Sequence, residues 1–323
     1  MNATPKISVL IPTYNYARFL PEAIESVLAQ EFQDFELLVV DDCSTDDTAK
    51  VVQALCARDA RVRFSVNPAN LGMVRNWNHC LELARGDYVK FLFGDDRLCD
   101  RRALGKLAAL LDNNPSATLG ASARVILDEN SKVVNIWRLL PDGCHNGKKI
   151  ITACLMKNGQ NLVGEPSAVI FRKSDAQRGF VPHLKQIVDV EMWFHLLERG
   201  NLAYTREPLC AFRVHSLQET ERNTASGLAW KEHATFIASY AVEEQFPPEV
   251  VFPILYHLRR WQGKIPDANS PEMLEWQRRL ASRWDGAWRW HYWLYWARYK
   301  IAKPFHNFAQ SLEKRRFRRQ FNI

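Results

Sequence analysis

With 323 residues and 47% hydrophobic side chains, the chain is long enough to bury a full core, in one large domain or two smaller ones. No uncharged apolar run of about 18 or more residues occurs, which excludes a membrane-spanning helix, and Met1–Thr4 lacks the basic start and small-residue cleavage site of a secretory leader. The net charge of +7 is local: residues 283–323 hold ten Lys/Arg against Asp285 and Glu313, and the rest is within one charge of neutral, so the main body carries no extended basic groove.

Ile7 to Ile11 is a short apolar run suited to a buried strand. Pro21 sits in the first turn of a helical pattern in which Leu20, Ile24, Val27 and Leu28 share a face. Phe35 to Val40 predicts a second buried strand ending at Asp41-Asp42. Ser44 to Asp47 then reads as a helix start with a hydroxyl cap. Arg61 to Val66 is a more exposed strand candidate. Met73 to Ala84 is a helix closed by Arg85-Gly86, and Tyr88 to Phe93 is a fourth strand that ends in Gly94-Asp95-Asp96. Helices over 101–111 and 190–199, with strands around 119–127 and 168–172, complete the alternation up to about residue 215. Beyond 216 the pattern is mainly helical. The reading is therefore an α/β domain over 1–215 with a mostly parallel sheet, followed by a helical region over 216–323. Seven scattered cysteines, never spaced as CxxC, fit reduced thiols in a cytosolic protein better than disulfides or a zinc site.

In such sheets ligands bind outside the carboxyl ends of the strands. Three polar clusters fall at those ends: Thr13-Tyr14-Asn15, Asp41-Asp42 and Asp95-Asp96. Adjacent carboxylates suit a hard divalent cation shared with substrate phosphates, or they cap the helix that follows. A carboxylate after the second strand can accept from a ribose hydroxyl or a base N–H, or again serve as a cap. The absence of GxGxxG and GxxxxGK[ST] near these ends counts against NAD enzymes and P-loop NTPases.

The succession 8-SVLIPTYN-15, 37-LLVVDDCSTDDT-48, 70-NLGMVRNWN-78, 84-ARGDYVKFLFGDD-96, 189-DVEMW-193 and 212-FRVH-215 resembles the family 2 glycosyltransferases over roughly residues 5–215. The resemblance implies a GT-A fold and transfer from a nucleotide sugar with inversion at the anomeric carbon. It assigns Pro12, Thr13 and Tyr14 to the nucleotide pocket, Asp42 to the base, and Arg75 and Asn76 to the neighbourhood of the sugar nucleotide. It makes Asp96 a ligand of Mn2+ or Mg2+, with Asp95 reaching the ribose or a water. Phe93 departs from the family's pattern, which has an acid there. The resemblance also makes Asp189 the base that takes the acceptor's proton; Val188 stands where the usual pattern has Glu. His215, in an Arg-x-His element, is implied to approach the metal or diphosphate. Glu165 lies in a segment that lines the acceptor side. Read from the residues alone, Asp189 is equally a helix cap, His215 a surface histidine, and Glu165 a loop acid facing water.

The tail stands outside the resemblance. WDGAWRWHYWLYW at 284–296 is followed by KRRFRR at 314–319, and Trp288, Tyr292, Tyr295 and Tyr299 would line one helical face. Aromatics beside Lys and Arg suit a membrane interface with anionic lipids. The alternatives are core packing, a homodimer contact, or nucleic acid, which the neutral body disfavours. The expected activity is transfer of a sugar, with a uridine donor first, to a glycan hydroxyl, on a lipid-linked acceptor at the inner membrane face in bacterial surface-polysaccharide assembly. A nucleotidyltransferase and a non-catalytic scaffold are the competing expectations. Phe93 is the best support for the scaffold.

Overall fold

The computed structural model describes residues 4–157, 159–216 and 218–243, then 246, 250–251, 253–254, 269–282, 290, 293–294 and 296–297. The chain divides into two units. One comprises Met1–Ile150 with Asn161–His215, and the other Ile151–Gln160 with Ser216–Ile323.

The first unit opens as β1 (Ile7–Thr13), α1 (Leu20–Leu28), β2 (Phe35–Asp41), α2 (Thr48–Cys56), β3 (Val62–Val66), α3 (Met73–Leu83) and β4 (Tyr88–Phe91). β5 (Arg97–Leu98), α4 (Ala103–Asp112), β6 (Ala117–Leu127), β7 (Val133–Trp137) and β8 (Gly143–His145) follow, and α5 (Gly147–Met156) begins in this unit and belongs to the other from Ile151 on. A 3-10 turn over Pro166–Ala168, β9 (Val169–Arg172), α6 (Val188–Leu197) and β10 (Asn201–Arg213) complete it. The strands form one sheet in the order β3-β2-β1-β4-β9-β6-β10-β5, with β7 on β6 and β8 on β10. β1, β2, β3 and β4 run parallel, as do β6 and β10. Parallel ladders carry most of the pairing, and β9 enters antiparallel between β4 and β6.

Every residue of β1, β2 and β4 is buried, which is why these segments read as mainly apolar runs, each broken near its middle or start by a single polar residue (Ser8, Glu36, Lys90), rather than as alternating ones. α1 lays Leu20, Ala23, Ile24 and Val27 into the core, and Pro21 occupies its first turn, where no backbone donor is needed. At the amino end of the sheet the Glu36 carboxylate accepts from Ser8 Oγ (2.6 Å), Arg63 Nη1 (2.7 Å) and the Arg85 backbone N–H (2.7 Å). Burial pushes Glu36 up, but these bonds outweigh it and leave the carboxyl below its ordinary value. Gly86 closes this junction: a Cβ there would stand 2.6 Å from the Ser8 backbone nitrogen.

Three local expectations change. α2 begins at Thr48, not near Ser44, because the Ser44 hydroxyl donates to Asp41 (2.5 Å) and accepts the Asn15 N–H (2.8 Å), knitting the ends of β1 and β2. β4 stops at Phe91, so Phe93 lies in the loop beyond it. β10 runs for 13 residues through Thr205-Arg206-Glu207-Pro208, a stretch whose polarity hides the strand; a register shift at Pro208 accommodates the missing donor.

In the second unit, α7 (Glu219–Ala225) and α8 (Leu228–Glu243) are followed by a helix over Pro271–Ser282, with Ile237, Ala238 and Met273 buried. No described helix is long and apolar enough to cross a membrane. Trp288, Tyr292, Tyr295, Tyr299 and the basic run 314–319 lie outside the described residues.

Candidate active site

At the carboxyl ends of β1 and β2 the chain turns sharply, with Asn15 (φ 56°) and Cys43 (φ 65°) in left-handed backbone. Pro12 and Thr13 are buried, Thr13 Oγ1 has no hydrogen-bond partner, and Tyr14 is exposed. Asp42 is buried. Its Oδ1 accepts from Asn67 Nδ2 and the Leu71 N–H (both 2.8 Å), and its Oδ2 from the Gly72 N–H (2.9 Å). The carboxylate thus folds the 67–72 loop over the strand ends instead of capping a helix, and Oδ2 retains acceptor capacity. Asn76 is buried as part of that framework: Oδ1 accepts from Asn67 (2.9 Å) and Nδ2 donates to the Val40 carbonyl (3.2 Å). Its amide therefore helps hold the loop. Arg75, one residue earlier on α3, is exposed and forms no ion pair with the described residues.

Beyond β4, Asp95 and Asp96 are both buried. They are not helix caps, since α4 starts at Ala103 with Arg102 at its cap position. Arg213, at the end of β10, organises them. Its backbone N–H donates to Asp96 Oδ1 (2.9 Å), its Nε to the Asp95 carbonyl (2.7 Å) and its Nη2 to Glu22 (2.6 Å), with the guanidinium against the Phe19 ring. His215 is a buried residue rather than a surface one, and its Nε2 lies 3.0 Å from Asp95 Oδ2. Phe93, in the place of the family's first acid, packs on Trp77 with ring centroids 4.9 Å apart.

The loop after α5 supplies the other wall. Glu165 does not simply face water: it is ion-paired with Arg124 of β6, whose Nη2 donates to Oε1 (3.1 Å) and whose guanidinium lies over Trp137. Ser167 Oγ accepts the Phe93 N–H (3.1 Å). The buried Lys90 ammonium donates to the Ser167 carbonyl (2.5 Å) and the Phe91 carbonyl (2.7 Å), and so fastens this turn to β4. Burial lowers Lys90 to about 8.

Asp189 is the second residue of α6, inside the first turn and not at its cap, which is Ile187. Its Oδ2 accepts from Asn161 Nδ2 (2.9 Å). One turn later Trp193 donates its Nε1–H to the Gly164 carbonyl (2.9 Å), which Asn161 Nδ2 also reaches (3.0 Å). The four-residue spacing places Asp189 and Trp193 on one face of the helix, against the same loop. Burial, and then the negative charge of Glu165, raise Asp189 to about 7, which suits a general base working near neutrality. Asp189 is half-buried by exposed area yet densely enclosed by protein; a carboxylate lining a cleft satisfies both.

Asp96 is held well above its ordinary value by burial and then by Asp95; Ser167 Oγ beside it partly offsets this. Its Oδ2 is buried without a hydrogen bond of good geometry. An orphaned carboxylate oxygen next to a second carboxylate is what a divalent cation would satisfy, so the residues fit Mn2+ or Mg2+. Among the described residues no group of three or more His, Cys, Asp or Glu side chains is arranged to hold a metal by itself. Such an ion would therefore draw most of its ligands from substrate and water. His215, through its Nε2, is engaged with Asp95.

The well-formed cleft of about 780 Å3 lies elsewhere, at the amino end of β4 among Asn78, Arg85, Tyr88, Arg172 and Arg178. Its arginines are engaged, with Arg85 on Glu36, Arg178 on Glu191 and Arg172 on the Leu111 carbonyl. Asp42 and the Asp95-Asp96 pair follow the carboxyl ends of β2 and β4, at the other end of the sheet.

Lys90, Arg124, Asn161, Ser167 and Arg213 were not singled out as site residues from the sequence. Lys90 had a usable signal, as the single charge interrupting the apolar run of β4.

A mostly parallel sheet bearing carboxylates beyond its central strands, with a further acid on a helix of the same unit, is compatible with a GT-A glycosyltransferase. Residues 8–178 match the profile of Glycosyl transferase family 2, and the chain belongs to that family. It is 30% identical over 225 residues to the putative glycosyltransferase EpsE of Bacillus subtilis, covering 68% of this chain and 72% of that one. It is 26% identical over 231 residues to the putative teichuronic acid biosynthesis glycosyltransferase TuaG of the same organism (71% and 85%). A shorter match, 43% over 95 residues, is to the GalNAc(5)-diNAcBac-PP-undecaprenol beta-1,3-glucosyltransferase of Campylobacter jejuni (29% and 31%). Among solved structures, S. aureus TarS 1–349 in complex with UDP-GlcNAc superposes with a TM-score of 0.65 at 18% identity, over 86% of this chain and 82% of that one. The mannosyltransferase PcManGT from Pyrobaculum calidifontis, in complex with GDP-Man and Mn2+, gives 0.57 at 16% (97% and 85%). These two likenesses concern the fold.

Proposed function

We propose that this glycosyltransferase inverts the anomeric carbon of a nucleoside-diphosphate sugar, with uridine as the base, and attaches the sugar to a hydroxyl of a glycan acceptor in bacterial surface-polysaccharide assembly. One observation carries the reading. The 161–168 loop bonds to Asp189 through Asn161 and to the loop bearing Asp95 and Asp96 through Ser167, so one loop ties an acid suited to a base to the strand end that carries the acids suited to a diphosphate. In the reaction the bond from the sugar's C1 to the diphosphate oxygen breaks, and the electron pair leaves with that oxygen. The acceptor oxygen bonds C1 from the opposite face, and its proton passes to Asp189. Pro12, Thr13 and Tyr14 line the nucleotide, Asp42 accepts from the base through Oδ2, and Arg75 offers charge to the phosphates. Asp95 serves the ribose or a water. Asp96 would hold a divalent ion, which would supply charge neutralisation at the leaving diphosphate. Phe93 and Trp77 form an apolar wall where the family's first acid would sit. Glu165, neutralised by Arg124, is the acceptor-side residue.

Turnover over a panel of UDP-, dTDP- and GDP-sugars, read as nucleoside diphosphate released, tests the reading. One donor class should dominate, and kcat should fall as pH drops below about 7 while Asp189 takes up a proton. No release from any donor would favour a scaffold instead.

The names of the relatives support a polysaccharide setting, and that of the Campylobacter enzyme a lipid-linked acceptor. The tail supports a membrane-side location. Trp290 and Trp293 are 61% and 52% exposed and stacked on each other, in a segment with a surplus of eight positive charges over 283–323. Exposed indoles beside cations suit an anionic bilayer surface on the cytoplasmic side. The full chain should sediment with phosphatidylglycerol vesicles and not with phosphatidylcholine ones, and Trp290→Ala with Trp293→Ala should weaken this severalfold. Unchanged sedimentation in that variant would assign the indoles to another partner, such as a second copy of the chain.

A further inference from the structure

We propose that Asn161 is a positioning residue for sugar transfer, whose side-chain amide aims the Asp189 carboxylate into the cleft. The proposal rests on Asp189 being the base. Asn161 Oδ1 accepts the Val163 N–H (3.1 Å) and the Gly164 N–H (2.9 Å). Two backbone donors on one atom decide which end of the amide is oxygen, so Nδ2 must face the other way. There it donates to both the Gly164 carbonyl (3.0 Å) and Asp189 Oδ2 (2.9 Å).

All the polar capacity of this side chain that is visible in the fold is thus engaged, half in shaping the loop and half in holding the acid. The same Gly164 carbonyl accepts from Trp193, so the loop, the amide and the first turn of α6 lock together. Gly164 is in left-handed backbone (φ 133°), and a Cβ there would meet Ala168 at 3.1 Å and Arg124 at 3.2 Å, so the loop is shaped as well as fastened.

The electrostatic setting makes the amide matter. From the turn before β9, Glu165 faces Asp189 with its negative charge. Arg124 of β6 opposes it, and the backbone N–H groups of Asp189 and Val190 favour the ionised form. On α6 itself, Glu191 is engaged by Arg178 (2.7 Å). A carboxylate pressed by Glu165 would swing away unless a donor held it, and Asn161 is the side chain that does.

Asn161→Asp separates loop shaping from base positioning. An aspartate keeps the oxygen that accepts from Val163 and Gly164, and those donors keep it ionised, but it puts an acceptor where Nδ2 had been. Carbodiimide reacts with protonated carboxyls, so labelling of Asp189 against pH, read by tandem mass spectrometry, gives its titration midpoint without any substrate. We expect the midpoint in Asn161→Asp to rise by about one pH unit. The acid limb of UDP release from UDP-N-acetylglucosamine, UDP-glucose or whichever panel donor turns over should rise with it. Asn161→Ala should lower kcat on the order of 10- to 100-fold with donor KM within about twofold.

An unchanged midpoint in Asn161→Asp overturns the proposal, whatever the rates do. If Asp189→Asn is inactive at the same time, the base survives and only the positioning role fails. Full turnover in Asp189→Asn instead removes the base itself, and the proposal with it.

Discussion

Asp189→Asn should lower kcat by about 10²- to 10⁴-fold while leaving diphosphate binding intact, because a positioned base contributes on that order to the proton-transfer step. An amide cannot take the proton, yet it fills the same space. The variant should not fail by unfolding. Asp189 is raised from 3.8 to about 7, so the folded state disfavours its charge. The cost is absent below the unfolded value near 4, where both states are protonated, and is fully present above about 7. Asp189→Asn should therefore melt higher than the wild type at pH 8 and equally at pH 4, with a gain of at most about 4 kcal/mol. Kinetics and melting together separate chemistry from folding. A variant that turns over at the wild-type rate would end the assignment of the base.

Asp96→Asn should abolish metal-dependent binding of the donor nucleotide. Calorimetric titration with UDP, dTDP and GDP, each with and without Mn2+, provides the reading. In the wild type one diphosphate should bind at least about tenfold tighter with the ion, since an oxygen-rich site takes most of its affinity for Mn2+ from charge. The asparagine keeps an acceptor for the Arg213 N–H and removes the negative charge. It also removes the repulsion from Asp95 that helps hold the Asp96 carboxyl high, so the fold should not suffer. Metal-independent binding in the wild type would shift stabilisation of the leaving group to protein cations, with the exposed Arg75 the first candidate. No binding of any of the three would raise the scaffold above the enzyme.

The early strands were legible because burial on both faces writes itself into adjacent residues. Ile7–Thr13, Phe35–Asp41 and Tyr88–Phe91 are wholly buried; the first two end in polar residues, and the third is followed after Leu92-Phe93-Gly94 by Asp95-Asp96. Clusters at the ends of parallel strands meet in space by topology, so Thr13, Asp42 and the Asp95-Asp96 pair could be grouped before any coordinates. β10 was not legible. Its central residues pair along the sheet while exposing Arg206 and Glu207, so no alternation marks the strand.

The roles of single polar residues were legible only in part. Asp42 and Asp95-Asp96 sit at sequence positions where caps are common, and hydrogen bonding rather than position separates the alternatives. Asp42 is bound by the 67–72 loop, and Asp96 by the Arg213 backbone, 117 residues away. Asn76, expected near the sugar nucleotide, also has a framework role that position alone does not reveal, because both ends of its amide find partners inside.

From its order of strands, turns and acids alone, the sequence determined the α/β layer, the end of the sheet where chemistry gathers, and the family. Those features are local: each depends on residues within one element and its next turn. The tertiary structure alone decided what surrounds the acids. Arg124 meets Glu165 across 41 residues and Arg213 meets Glu22 across 191, pairings that depend on a sheet order in which β9 joins β4 to β6 and, beyond it, β10. The charge on Asp189 and the vacant lone pairs on Asp96 are set by those distant neighbours, since the energy of a buried charge depends on what lies within a few ångströms in space and not along the chain.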